Sequence, residues 1–243
     1  MSGPVVVREP GSLERALRDA WPGVRRRLWR QPSTWWRSWR LLRHYNLTPL
    51  RPRQVTLRIP LGVVPDCESC EEVCCTGRHR VVSLRLVDVA ALLDAGLGTH
   101  ITLQRPEYPV EELDENWALA EQVHSDLWKW FPVLTQDSTG TCTLLDTDLQ
   151  CAAHPSWPTS CARFPYSLNV LQRTVFYAGS CHSSQLLRGD EASGRVQHLL
   201  QAALDAYNER IRDLVMVHVG GDVLRDLGLD AHLQLPRRLR PRR

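Results

Sequence analysis

Residues 67–75 read Cys67-Glu-Ser-Cys70-Glu-Glu-Val-Cys74-Cys75, a CxxCxxxCC block with four thiols in nine positions. A second group of four cysteines follows later in the chain, at Cys142, Cys151, Cys161 and Cys181. Thiolates are strong, soft ligands, and a structural zinc ion or an iron–sulfur cluster needs about four of them from separate segments. The two groups therefore predict a metal centre to which distant stretches contribute, with all eight cysteines as candidate ligands.

The spacing inside the block limits which thiols can share one centre. Cys67, Cys70 and Cys74 differ by three and four positions, so on a helix or in a tight loop their sulfurs point to one side. Cys74 and Cys75 are neighbours, and adjacent side chains diverge by about 100° on a helix or point to opposite faces of a strand. Two four-thiolate centres, or one centre with a few free or catalytic thiols, both fit this pattern.

Two kinds of centre fit the ligand set. Thiolate ligands in a reducing compartment favour an iron–sulfur cluster, with 4Fe-4S preferred, in electron transfer or in support of a modification enzyme. A closed four-thiolate zinc site would instead stabilise a binding module without catalysis. We favour iron, because eight cysteines with an adjacent pair are unusual for a zinc ribbon. For single positions such as Cys142 and Cys181, burial as a small apolar side chain is the competing interpretation.

Length and composition predict a folded protein of the cytoplasm. The 243 residues are 43% hydrophobic and 23% charged, near the average of globular domains and unlike a disordered or collagen-like chain. The sequence has no basic segment followed by a long apolar run at its start, and no stretch approaches the ~20 apolar residues of a membrane span. Cytoplasmic thiols stay reduced, which favours metal binding or redox chemistry over disulfides.

Positive charge is concentrated in two segments. Residues 21–58 hold ten arginines and no acidic residue, and residues 236–243 hold five more, although the formal net charge of the chain is +3. A basic amphipathic helix is predicted after Pro32. Its tryptophans and arginines fit nucleic acid, an anionic membrane surface, or a helix that packs its tryptophans on the protein, and a protein partner is left open. The candidate surface residues are Trp36, Trp39, Arg37, Arg40 and Arg43.

Periodicity and turn residues predict a single-core α+β fold, mostly helical, with a loop-rich cysteine lobe organised by metal and a few short strands. We divide the chain into a basic Trp/Arg-rich helical extension (1–53), a cysteine-cluster metal-binding domain (54–190) and a C-terminal helical segment with an Arg-rich tail (191–243). Helices are predicted from Ser12 as N-cap to Ala20, where Pro22 and Gly23 interrupt, and over 87–95, 111–131, 195–217 and a short stretch to 227. Strands or hairpins are predicted over 54–59, 78–84 and 167–178. Because the segment 142–161 lacks apolar periodicity, we expect a metal to organise it.

Several of these elements together resemble the YkgJ-type cysteine-cluster family. They are the CxxCxxxCC block, Gly140-x-Cys142-x-Leu144-Leu145, Cys151, and Trp157-Pro158-Thr-Ser-Cys161-Ala-Arg-Phe164-Pro165-Tyr166, in roughly residues 60–185. Members of that family are described as zinc- or iron-chelating proteins, and flagellin lysine N-methylases carry a similar cysteine pattern. Trp157 and Ala162 stand where the family tends to have arginine. The resemblance implies a chelating fold.

A protein N-methyltransferase is a weaker alternative that follows from the same resemblance. Such an enzyme needs a site for S-adenosylmethionine, and the nearest glycine-containing candidate is residues 215–222. We interpret this segment as the end of a helix and a turn, because no clear glycine-rich loop follows a strand.

Overall fold

The computed structural model of the chain describes residues 11–30, 49–58, 63–65, 75–76, 81–104, 131–148, 150–154, 156–169, 172–177, 184–186, 190–233 and 235. Its helices are α1 (Ser12–Arg30), α2 (Leu86–Asp94), α3 (Thr159–Ala162), α4 (Asp190–Val219) and α5 (Gly221–Asp226). Its strands are β1 (Thr56–Arg58), β2 (Val63–Pro65), β3 (Ile101–Gln104), β4 (Phe131–Leu134), β5 (Tyr166–Asn169), β6 (Thr174–Tyr177) and β7 (Ser184–Leu186). The described residues thus have a mixed α+β architecture in which helix exceeds strand.

The described strands form three small sheets. The first has the order β1-β6-β5, in which β1 runs parallel to β6 and β5 runs antiparallel to it. The other two are the antiparallel pairs β2-β7 and β3-β4. The hairpin predicted over 167–178 is confirmed as β5 and β6, and the strand predicted over 54–59 is confirmed at Thr56–Arg58.

Helix α1 continues through Pro22 and Gly23, so the prediction that they interrupt it is wrong. Pro22 lacks a backbone N–H and therefore removes one helical hydrogen bond. It lies on the exposed side of the helix, whereas Val24 and Leu28, which follow it, are buried. Burial of a Val or Leu side chain contributes about 1.5–3 kcal/mol, enough to offset a single proline.

The start of α1 is also capped differently from the prediction. Ser12 is the first helical residue rather than the N-cap. The cap comes from Asp94 at the end of α2, whose carboxylate accepts the backbone N–H of Leu13 at 2.9 Å and the Ser12 hydroxyl at 3.3 Å. A negative charge at this position also interacts favourably with the helix dipole. One side chain thus fixes α1 against α2.

Of the remaining predicted elements, the structure confirms three helices and contradicts part of one strand. Most of one further predicted helix lies outside the described residues. The helices predicted over 87–95 and 195–217 and the short helix to 227 are confirmed as α2, α4 and α5. The strand predicted over 78–84 is wrong for residues 81–84, which contribute one isolated bridge from Ser83 to Val133. Of the helix predicted over 111–131, the structure describes Phe131, and this residue belongs to β4.

Buried side chains form two clusters in the described residues rather than the single core that was predicted. The first core joins α1, α2, β4, the segment 142–153, the end of α4 and α5. The second core joins Leu50, β5, β6 and the rest of α4. Helix α4 contributes to both, with Leu200 to Leu214 in the second core and Val215 to Val217 in the first. This helix therefore connects the two halves of the fold.

Candidate metal centre

Two tight turns fold residues 135–148 and 150–152, here called the cysteine ribbon, into three short antiparallel segments. In each turn an aspartate, Asp137 or Asp146, accepts the backbone N–H groups two and four positions later through Oδ1, at distances of 2.7–3.0 Å. Aspartate favours turns because its side chain makes such local bonds. Asp137 also accepts a hydrogen bond from the Thr139 hydroxyl. This bond, followed by the backbone bonds, lowers the pKa of the Asp137 carboxyl below its ordinary value.

Cys142 and Cys151 occupy paired positions of the cysteine ribbon. Cys142 lies opposite Gln136, and Cys151 lies opposite Leu145. Backbone bonds of 3.0 Å from Thr143 to Thr135 and of 2.8 Å from Ala152 to Leu144 hold the segments together. In the described residues this part of the cysteine lobe is therefore organised by hydrogen bonds and packing. Its geometry does not require the metal that was predicted to organise it.

One cysteine of each group of the sequence comes into contact in the structure. The backbone N–H of Cys142 donates to the carbonyl oxygen of Cys75 at 2.9 Å. Both side chains pack in or against the first core, where Cys142 is buried and Cys75 is partly buried. Cys151 packs against the same core. One residue of the CxxCxxxCC block and two of the second group therefore lie in one region of the fold.

Burial makes the thiol of Cys142 harder to ionise. Removal from water raises the pKa of its thiol, and the neighbouring Cys151 thiol raises it further, while a hydrogen bond from the backbone N–H of Leu144 acts in the opposite direction. A raised pKa keeps the thiol neutral at physiological pH. A metal ion at Cys142 would therefore have to displace this proton, since thiolate is the form that binds metals.

Cys161 belongs to the short helix α3, which is fixed by bonds to the start of α2. The carboxylate of Asp88 accepts both the backbone N–H and the hydroxyl of Thr159, each at 2.9 Å. The hydroxyl of Ser160 donates to the carbonyl oxygen of Ser83 at 2.6 Å. Both residues directly before Cys161 are thus held in place, and their bonds position α3 against Ser83 and Asp88.

The other predicted site residues lie outside the described residues or outside this region. Among the described residues, no three His, Cys, Asp or Glu side chains are grouped in a way that could hold a metal ion. His154, which lies three residues after Cys151, is exposed and packs edge-on against Trp157 at 5.1 Å between ring centroids. Four candidate ligands lie outside the described residues, namely Cys67, Cys70, Cys74 and Cys181. The candidate residues of the predicted basic helix also lie outside them, namely Trp36, Trp39, Arg37, Arg40 and Arg43.

A buried charge cluster was missed in the sequence. It consists of Arg85, Asp88, Glu209 and Asp213, each at most 7% exposed, with the half-buried Arg212. Asp213 accepts the backbone N–H of Leu86 at 3.3 Å, and Arg212 pairs with Glu209 at 2.5 Å. The signal in the sequence was weak but present, since Asp88 and Asp213 interrupt otherwise apolar helical faces. The cluster lies between α2 and α4, and its Asp88 is the residue of α2 that accepts the hydrogen bonds from α3.

Asp213 gives the fold a specific pH dependence. Burial raises its pKa well above the ordinary value, the charges of Glu209 and Asp88 add to this, and Arg85 together with the Leu86 N–H opposes it. The folded protein therefore holds this proton more tightly than the unfolded chain. The resulting stability is complete below the unfolded pKa and is lost as the pH rises toward the folded pKa.

We therefore expect Asp213→Asn to remove this dependence. As the pH is raised from about 4, the ordinary pKa of an aspartate in the unfolded chain, to neutral, the free energy of unfolding of the wild type relative to the variant should fall by at most about 1.4 kcal/mol per pH unit. Urea unfolding across this range measures it. Asp205→Asn, the same change at an exposed position of α4, controls for the loss of a carboxylate. Parallel pH profiles for the wild type and Asp213→Asn would contradict the assignment.

Comparison of the chain with protein-family models, with curated proteins and with solved structures found no match. The resemblance to the YkgJ-type family therefore stays a prediction from the residues that carry it. None of the described helices combines the length and the apolar composition that a membrane-spanning helix needs.

Proposed function

We propose that this chain is a metal-binding protein of the YkgJ type that holds an iron–sulfur cluster, with 4Fe-4S favoured, through cysteine thiolates. The cluster would serve electron transfer or support a modification reaction, since one-electron chemistry is what such a group supplies when bound. The residues proposed to hold it are Cys67, Cys70, Cys74, Cys75, Cys142, Cys151, Cys161 and Cys181.

The hydrogen bond from the Cys142 N–H to the Cys75 carbonyl oxygen is the observation that carries this proposal. A shared centre requires two distant stretches of chain to approach each other, and this bond joins positions 75 and 142 at 2.9 Å. Cys75 belongs to the CxxCxxxCC block and Cys142 to the second group, so the bond links the two groups. It supports a centre built from both.

One contact of Cys142 favours a bound thiolate. The backbone N–H of Leu144 donates to its sulfur, and hydrogen bonds to cluster sulfurs are among the means by which a protein sets the reduction potential. The first core excludes water from one side of the position. Four acidic residues around the block add negative charge, which would lower a cluster's reduction potential, and they are Asp66, Glu68, Glu71 and Glu72.

A closed zinc site is the second candidate, and the cysteine ribbon favours it. The ribbon is a compact element of tight turns packed on the first core, with its thiols at fixed positions. That arrangement is typical of a structural site that stabilises a binding module. The N-methyltransferase alternative has less support, because residues 215–219 belong to α4 and Gly221 begins α5, so this segment follows a helix rather than a strand.

Metal analysis of protein purified under nitrogen tests the proposal. We expect brown protein with a broad absorption band in the visible region and stoichiometric iron and acid-labile sulfide. Cys75→Ser and Cys142→Ser should each lose at least half of the bound iron, because a thiolate ligand is removed. Ala153→Ser is the matched control, since it adds a buried hydroxyl directly after the ribbon without removing a thiol.

Each outcome separates the candidates. Colourless protein with stoichiometric zinc would replace the iron–sulfur proposal by the structural zinc module. Folded protein that binds neither metal would overturn both, and it would leave the cysteines near the ribbon as buried apolar side chains.

A further inference from the structure

The outward side of α1 carries a surface that the metal proposal does not use. Arg25, Arg26, Trp29 and Arg30 are all exposed there, and Trp29 is 61% exposed. We propose that these four residues, here called the α1 basic face, bind single-stranded nucleic acid, with the arginines on phosphates and Trp29 stacked on a base.

The geometry of α1 directs this face away from the protein. The buried residues Leu13, Leu17, Val24 and Leu28 follow one side of the helix. At 3.6 residues per turn the α1 basic face lies on the opposite side, within an arc of about 140°. Contacts of α1 with α2 and α4 fix the buried side. The arginines and the tryptophan are therefore presented by an anchored helix, which lowers the entropy lost on binding.

The arginines of this face differ from Arg18 and Arg27 of the same helix in their partners. Arg18 pairs with Glu14 and Glu209, and Arg27 pairs with Asp222. Among the described residues, Arg25, Arg26 and Arg30 have no acidic partner within ion-pair distance. Their charge is therefore available to an external anion. It lies in the segment 21–58, which has ten arginines and no acidic residue.

The tryptophan favours nucleic acid over other anionic partners. An indole beside guanidinium groups matches the pattern of single-strand binding, in which aromatic rings stack on bases while cations neutralise the backbone. A membrane would require a free apolar face, and the apolar face of α1 is buried in the first core. Arg37, Arg40 and Arg43, the predicted nucleic-acid residues, follow α1 in the chain and lie outside the described residues.

Fluorescence anisotropy with labelled 20-nucleotide oligo-dT and oligo-U tests the proposal on the full chain. We expect dissociation constants of roughly 1–100 µM at moderate salt and steep weakening as salt is raised. Replacing Arg25, Arg26 and Arg30 together by Gln should weaken binding about tenfold. It should also reduce the slope of log affinity against log salt by about 2, because each lost phosphate contact on a single strand removes about 0.7.

Two pairs of variants separate this face from general charge effects. Arg25→Gln should weaken binding several-fold, whereas Arg195→Gln, an exposed arginine at the start of α4, should leave it within twofold. Trp29→Ala should weaken binding roughly tenfold, and Trp29→Phe should restore most of it, because an aromatic ring stacks on a base in either case.

Three results would overturn the proposal. The first is no anisotropy change with either oligonucleotide at low salt. The second is equal weakening by Arg25→Gln and Arg195→Gln. The third is tighter binding to vesicles containing phosphatidylserine than to the oligonucleotides, together with unchanged oligonucleotide affinity in Trp29→Ala. This result would assign the face to a membrane. Metal content enters none of these results, so failure here is distinguishable from failure of the metal proposal.

Discussion

Asp88→Ala is expected to destabilise the protein by about 3–5 kcal/mol, because three hydrogen-bond donors lose their acceptor at about 1–3 kcal/mol for each one left buried. Asp88 is 5% exposed. Its carboxylate accepts the backbone N–H of Arg85 at 2.7 Å and two bonds from Thr159 at 2.9 Å each. Alanine would leave these donors buried without an acceptor and would remove negative charge beside the buried Arg85. Urea unfolding followed by circular dichroism measures the loss.

Two milder variants keep the prediction testable if Asp88→Ala does not fold. Asp88→Asn retains the size and one acceptor oxygen, so it should lose less than alanine does. Thr159→Val removes one of the three bonds at nearly constant shape and should cost about 1 kcal/mol. A free energy of unfolding for Asp88→Ala within about 0.5 kcal/mol of the wild type, as for an ordinary surface substitution, would show that the carboxylate does not hold this junction.

The acidity of Asp88 agrees with this structural role. Burial raises the pKa of its carboxyl, while the bonds from Arg85 and Thr159 and the charge of Arg85 partly counteract the rise. The bonds therefore stabilise the carboxylate that burial disfavours. Because Thr159 lies two positions before Cys161, the same bonds connect the fold of α2 to the placement of a proposed metal ligand.

The elements that were predictable are those with strong local signals. The apolar run of α2 ends at Gly96, which takes a positive φ of 73° that glycine adopts without strain. The hairpin β5–β6 and the long helix α4 likewise follow from period and turn residues. The interruption predicted at Pro22 did not follow from its lost hydrogen bond, because burial of Val24 and Leu28 outweighs that loss.

The candidate site was predictable in composition but not in arrangement. The cysteines stand out in the sequence, yet the bond between Cys75 and Cys142 joins residues that no local pattern couples. The pairing depends on how the cysteine ribbon packs on the first core. Asp88 and Asp213 were missed for a different reason, because a charged residue in an apolar helix is ordinarily assigned to its exposed side, and here both carboxylates are buried.

Leu204→Ala is expected to destabilise the protein by about 3–4 kcal/mol, within the range for Leu to Ala in a packed interior. Leu204 is fully buried in the second core with Tyr166 and Val175. The loss combines the transfer free energy of the removed atoms with the cavity left behind. Leu199→Ala is the matched control, the same change at a partly buried position of α4, and we expect it to cost less than half as much.

The same variant tests whether the two cores unfold together. Helix α4 contributes residues to both cores. If α4 couples them, the loss of stability caused by Leu204→Ala in the second core should also appear in the first core. Native-state hydrogen exchange reports this through Val175 in the second core and Val89 in the first, both fully buried. If unfolding is one cooperative event, Leu204→Ala should lower the protection of both amides by the same free energy. A loss confined to Val175 would mean that the first core, with its cysteine ribbon, is a separate unit that stays folded when the second core opens.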